Sequence, residues 1–242
     1  MHVSGFAATD RGRVRERNED AYHCGTTLFA VADGLGGHRA GEIASGIAIE
    51  VVAKLDQPPP DDPDEARHAL MEAFAAANRA VIEKAASDPA YSGMATTLTV
   101  ALLHQDQLHI AHVGDSRAYL LRDGEPLRQL TSDHTVVAQL VRQQRMSRDE
   151  AAVHPFRSVL VTAVGLEPEP LVDLLRPLDL QPGDQVLLCS DGLTEPVADE
   201  TIAELLAANS DGDAACLALI DAANRAGGPD NITVVLLRVR AD

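Results

Sequence analysis

The sequence predicts an α+β fold in which antiparallel sheets are covered by layers of helices. Two observations carry this. Strand-forming runs follow one another closely between about 95 and 122, so they form an antiparallel meander and not a Rossmann alternation. Segments of helical period fall in pairs between the strand blocks, as expected of helices lying on sheets.

Taken in order, strands are expected at about 2–9 and 27–33, then a helix at about 38–55 with Ala44, Ala48, Val51 and Leu55 on one face. The loop QPPPDDPD, 57–64, is too short to divide domains. The next helix, about 64–87, aligns Leu70, Phe74, Ala77 and Val81. Strands at about 95–104, 107–113 and 116–122 are punctuated by the turns Gln105-Asp106 and Asp123-Gly124. Helices follow at about 134–145 and 147–153, the second opened by the capping box Ser147-x-x-Glu150. A strand at 184–189, helices at 199–208 and 212–226, and a strand at 231–239 complete the chain. With no repeat and no long linker, residues 1–242 are expected to form a single domain.

Hydrophobic residues make up 45% and Trp is absent, so Leu, Val, Ile and Ala must fill the core. The net charge of -17 repels phosphate backbones and anionic lipid, which argues against nucleic-acid and membrane partners. Cys24, Cys189 and Cys216 lie far apart with no CxxC, so neither zinc nor a disulfide framework is expected. The N-terminus lacks an apolar signal core and no run reaches membrane-spanning length, so a cytoplasmic protein is expected.

The chemistry concentrates where apolar runs stop or start. Leu28–Ala32 ends on Asp33-Gly34; Val186–Cys189 leads to Asp191-Gly192; Gly114-Asp115 interrupts two runs; Asp230-Asn231 precedes the last strand; Glu19-Asp20 follows the first. A lone Asp-Gly is a turn, as at Asp123-Gly124, but this set lies beside glycines and amides that let a ligand approach the backbone. Carboxylates brought together cannot all stay ionised unaided. An all-oxygen set, with the Gly34 carbonyl and no His or Cys cluster, favours Mg2+ or Mn2+. Two such ions with a bridging hydroxide make a nucleophile at neutral pH and clamp a phosphoryl group. Arg15, in RVRERNED, can grip phosphate oxygens, while Arg11, Arg13 and Arg17 read as solvated charges.

Other chemistries fail on spacing. Six residues after the cysteines stand Ala30, Glu195 and Ala222, not the arginine of a cysteine phosphatase. There is no GxxxxGK[ST] and no HExxH, and Arg39 replaces the third glycine of a dinucleotide fingerprint. GDSRA, 114–118, mimics a serine-hydrolase elbow, but Ser116 lies between two strands and Ala118 replaces the final glycine.

The ordered blocks RERNED, VADGLGGH, SGMATT, VGDSR, TSDH, CSDGLTE and GPDN resemble the metal-dependent type 2C protein serine/threonine phosphatases in their compact bacterial form, over about 5–239. The resemblance implies a four-layer α/β/β/α sandwich of two antiparallel sheets flanked by helices. It implies hydrolysis of phosphoserine and phosphothreonine by a hydroxide bridging two Mn2+ or Mg2+ ions, without a phosphoenzyme. Asp33, Asp191 and Asp230 would hold the ion pair, Asp33 bridging and the Gly34 carbonyl assisting. Glu19 and Asp20 would bind metal directly or through water, Asp115 would join Asp191 at a weaker third ion, Arg15 would bind phosphate, and Asn231 would orient metal-bound water. The implied partners are phosphorylated proteins, among them a bacterial serine/threonine kinase and its substrates, with the chain acting as a monomer. Two departures stand out: Leu35 where many eukaryotic members carry a His, and Val161-Thr162-Ala163 where bacterial relatives often read T-R-A, just after a flap at about 134–156. His38 is expected to open the first helix. SGMATT reads as structural, letting a strand begin under the site. His134 can reach the site, though a helix-capping Asp133 explains TSDH equally well. The rival reading is a non-catalytic regulator on the same fold, against which the intact acidic set argues.

Overall fold

A computed structural model describes residues 1–35, 40–58 and 62–241. In chain order the strands and helices begin with β1 (His2–Asp10), β2 (Ala21–Cys24), β3 (Leu28–Ala32), β4 (Gly34–Leu35), α1 (Ala40–Val52) and α2 (Pro63–Ser87). There follow β5 (Ala95–Thr96), β6 (Leu98–His104), β7 (Gln107–Val113), β8 (Arg117–Leu121), β9 (Arg128–Gln129), α3 (Val136–Arg142) and α4 (Arg148–Ala152). The remainder is β10 (Asp173–Leu174), β11 (Leu178–Asp179), β12 (Gln185–Cys189), α5 (Asp191–Thr194), α6 (Asp199–Ala208), α7 (Gly212–Arg225) and β13 (Ile232–Arg240).

Two antiparallel sheets form the centre. One runs β1-β13-β12-β8-β9; the other runs β10-β7-β6-β3-β2, with β11 also on β7. Between them pack Phe29, Val31 and Ile110 from one side and Leu120, Leu188, Val235 and Leu237 from the other. On the outer face of the second sheet, Ala44, Ala48, Leu70 and Phe74 cover Leu28, Ala30 and Val100. On the opposite outer face, Ile202, Leu206 and Leu219 cover Leu187, Val234 and Leu236. The order is therefore helix, sheet, sheet, helix. β3 and β13 are buried on both faces, which is why LFAVA and VVLL read as unbroken apolar runs instead of alternating ones.

The expected strand 95–104 divides at Thr97, because β5 leaves the sheet to pair with β4 as a separate two-stranded ribbon. α3 starts later than expected. Its cap is Thr135, whose hydroxyl accepts from the Ala138 N–H, and Asp133 instead pairs with Arg117 at 2.7 Å. The capping box at Ser147 and Glu150 is present. The helix start expected at His38 lies outside the described residues. Among the described residues no helix is long and apolar enough to cross a membrane.

Candidate metal and phosphate site

The ends of β3 and β12 and the start of β13 carry the acidic residues, and their backbones are fixed by buried hydroxyls. Asp33 donates its N–H to Thr97 Oγ1 at 2.9 Å and accepts at its carbonyl from Thr97 N–H at 2.9 Å and Thr96 Oγ1 at 2.8 Å. SGMATT thus serves as a clamp beneath Asp33. Ser190, just before Asp191, donates its hydroxyl to Asp20 Oδ2 at 2.7 Å and accepts from Thr233 N–H at 2.9 Å. One serine therefore ties β12, β13 and the Asp20 loop together. Sequence reasoning missed Ser190; its only signal was its place beside a strand-end aspartate.

Two glycines permit the close approaches. A Cβ on Gly34 would overlap the Gly41 carbonyl and lie 2.5 Å from the Glu19 carbonyl oxygen. A Cβ on Gly192 would overlap the Asn231 carbonyl, so only glycine lets α5 begin against the entry to β13.

The carboxylates are half-buried. Desolvation pushes Asp33 well above the ordinary range, and the charges of Asp20, Asp191, Asp115 and Asp230 push the same way. Asp191 is raised likewise by desolvation, then by Asp115, Asp230 and Glu195. Desolvation lifts Asp20 to about 6, although hydrogen bonds from Thr233 and Ser190 oppose the rise. Desolvation followed by Asp133 lifts Asp115 to about 7. Asp33, Asp20, Asp191 and Asp115 therefore share one electrostatic environment, with Asp230 at its edge.

A divalent cation fits this set. Asp20 Oδ1 and Asp191 Oδ1 are buried with no hydrogen-bond partner, acceptors with nothing to accept from. Every donor atom is oxygen, which suits Mg2+ or Mn2+. Among the described residues no three of these side chains already form a closed ligand cage. Burial and mutual repulsion disfavour the ionised forms of Asp33, Asp20 and Asp191, and a bound cation would offset both.

Arg15, in the loop between β1 and β2, points Nη2 at Asp230 Oδ2 at 2.6 Å, and its side chain remains 54% exposed. Its other donors are therefore open to an oxyanion beside the acidic set. Glu19 anchors the same loop through its backbone. Its carbonyl accepts from Ser45 Oγ at 2.6 Å and its N–H donates to Asn231 Oδ1 at 2.8 Å.

Asn231 departs from the water-orienting role the resemblance implies. Its Nδ2 donates both hydrogens to backbone carbonyls, Arg11 at 2.9 Å and Arg17 at 2.7 Å. With Oδ1 on Glu19, the side chain is a clip that closes the arginine-rich loop onto β13. Ser116 is fully buried and its hydroxyl pairs with Thr97 Oγ1 at 2.7 Å, so it is no exposed nucleophile. Glu195, one turn after Asp191, receives Ser158 Oγ at 3.0 Å and faces Arg157 Nε at 3.6 Å, joining the 136–158 segment to the site.

The protein phosphatase 2C profile matches residues 9–217. The serine/threonine protein phosphatase PstP of Mycobacterium tuberculosis is 45% identical over 234 residues, covering 96% of this chain and 44% of that protein. The chain thus spans less than half the length of that relative. The serine/threonine phosphatase stp of Listeria monocytogenes is 38% identical over 236 residues, covering 95% and 93%. The crystal structure of the PstP catalytic domain, in complex with two manganese ions, superposes with a TM-score of 0.88 at 42% identity, covering 99% of each chain.

Proposed function

Because this chain belongs to the protein phosphatase 2C family, we propose that it is a protein serine/threonine phosphatase that hydrolyses phosphoserine and phosphothreonine with two Mn2+ or Mg2+ ions. The observation that carries the reading is the set of crowded, desolvated carboxylates with two orphaned oxygens, next to a half-exposed arginine.

Asp33, Asp191, Asp230 and the Gly34 carbonyl would hold the ion pair, Glu19 and Asp20 would complete it, and Asp115 with Asp191 would hold a weaker third ion. When bound, the ions supply Lewis acidity and acidify water near neutral pH. The chain's own residues do the rest. Arg15 keeps one Nη on Asp230 and turns its remaining N–H groups to the phosphoryl oxygens, so substrate and metal site are held in one register. Thr96, Thr97 and Ser190 hold the acidic groups rigid, so reorganisation during reaction is small. Leu35 carries no proton to give the leaving group.

The physiological substrates we infer are phosphorylated proteins, including a serine/threonine kinase and its targets. The chain would act as a monomeric single domain, 1–242, in the cytoplasm. The test is turnover of a phosphothreonine peptide by chelated and Mn2+-reconstituted protein. Metal-restored release of phosphate is expected; no turnover under any metal would favour a regulator on the same fold.

A further inference from the structure

We propose that His134 is a positioning residue whose imidazole holds the Gly114–Asp115 corner and ties it to the root of the 136–158 segment. This rests on the reading of Asp115 as an outer-ion carboxylate. His134 is 2% exposed. Its backbone N–H donates to the Gly114 carbonyl at 2.7 Å, and its Nδ1 accepts from the Gly114 N–H at 3.3 Å. A backbone N–H can only donate, so Nδ1 is the bare nitrogen and Nε2 carries the hydrogen. Nε2 then donates to Asp173 Oδ2 at 3.1 Å, and the carboxylate on β10 fixes the tautomer. Both polar groups of Gly114, the residue before Asp115, are taken up by one histidine.

Gly114 itself has little freedom. Its φ is +111°, and a Cβ there would come within 2.6 Å of Thr97 Cβ, the residue that clamps Asp33. The corner is therefore set by what grips its backbone. The same histidine reaches the other way. Its carbonyl accepts from Val161 N–H at 2.8 Å, and the next residues pair back as Val136 N–H to the Val159 carbonyl at 2.8 Å. Arg142 Nη1, at the end of α3, donates to the Asp133 carbonyl at 2.9 Å. Asp133 in turn receives Arg117 Nε and Nη2, two residues beyond Asp115. Residues 133–134 thus join both ends of the helical segment to both sides of the Asp115 corner. Both ring nitrogens are occupied in this role, so His134 is not aimed at substrate.

The experiment compares His134→Ala, His134→Asn and Asp173→Ala. An asparagine places Oδ1 where Nδ1 stands and can accept from Gly114 without reaching Asp173. Amide hydrogen exchange in the chelated protein reads the corner without any metal, and calorimetric Mn2+ titration reads the outer ion. In His134→Ala, exchange at Gly114 should accelerate about tenfold, the scale of one buried hydrogen bond. The weaker Mn2+ affinity should fall by about tenfold while the tight ions bind as before, again one hydrogen bond's worth. His134→Asn should recover most of both. If the alanine variant does not fold, Asp173→Ala, which leaves the ring in place but unfixed, should move both readouts the same way. Unchanged exchange at Gly114, or an asparagine no better than alanine, overturns the proposal. Faster exchange with every Mn2+ affinity unaltered overturns instead the reading of Asp115.

Discussion

Replacing Asn231 with alanine separates two roles that the same residue can play. The side chain makes three hydrogen bonds, to the Arg11 and Arg17 carbonyls and from the Glu19 N–H. Each is worth about 1 kcal/mol net, so their loss should cost about 3 kcal/mol. For a chain of this size that lowers Tm by roughly 6–12 °C. The released loop carries Arg15, whose pairing with Asp230 then loses its fixed origin. Steady-state kinetics on a phosphothreonine peptide should show KM rising more than kcat falls. Thermal melts of the Mn2+-loaded variant supply the stability arm. An unchanged Tm with a large drop in kcat at constant KM would refute the clip and restore the water-orienting role.

Arg15→Ala should retain metal stoichiometry but raise KM for phosphopeptide more than it lowers kcat; an unchanged KM contradicts the phosphate assignment. Gly34→Ala adds a Cβ that meets backbone on both sides, at Gly41 and Glu19, so it should destabilise by about 1–3 kcal/mol and weaken Mn2+ binding together. Normal melting and normal Mn2+ affinity in that variant would show that the close approach is not needed. In the chelated protein, Asp20 and Asp115 have native values raised to about 6 and about 7, so the folded state binds protons more tightly than the unfolded one. Their contribution is fully present below about 4, the ordinary aspartate value, and is lost as pH rises through 6 and 7. Melts from pH 5 to 8 in chelator should therefore fall with pH, and saturating Mn2+ should remove the fall; a Tm that climbs with pH in chelator contradicts the crowding.

The long elements were legible because each has one dominant period. α2, α6 and α7 carry apolar residues at helical spacing, and β6 and β7 are separated by a two-residue turn with Gln105 at φ 54°. β2, α5 and β9–β11 are two to four residues long, too short for a period, and the strands among them are held by pairing within the sheets. The strand-end aspartates were visible because a carboxylate terminating a buried run has no local reason to be there. What tied them together was not visible. Ser190, Thr97 and Asn231 act across 41 to 220 residues of sequence, and nothing near them in the chain announces the partner. Asp133 misled for the same reason, since its local capping pattern lost to an ion pair with Arg117, sixteen residues away.

Asp33, delivered by β3 and clamped by Thr96 and Thr97, is the residue on which the proposed ion pair would depend most. Calorimetric Mn2+ titration of Asp33→Asn beside the unaltered protein, with turnover of a phosphothreonine peptide measured on the same samples, tests it most directly. Two tight ions are expected in the unaltered chain, with loss of at least one in the variant and loss of nearly all turnover with the fold intact. Two tight ions and near-normal kcat in Asp33→Asn would contradict this dependence.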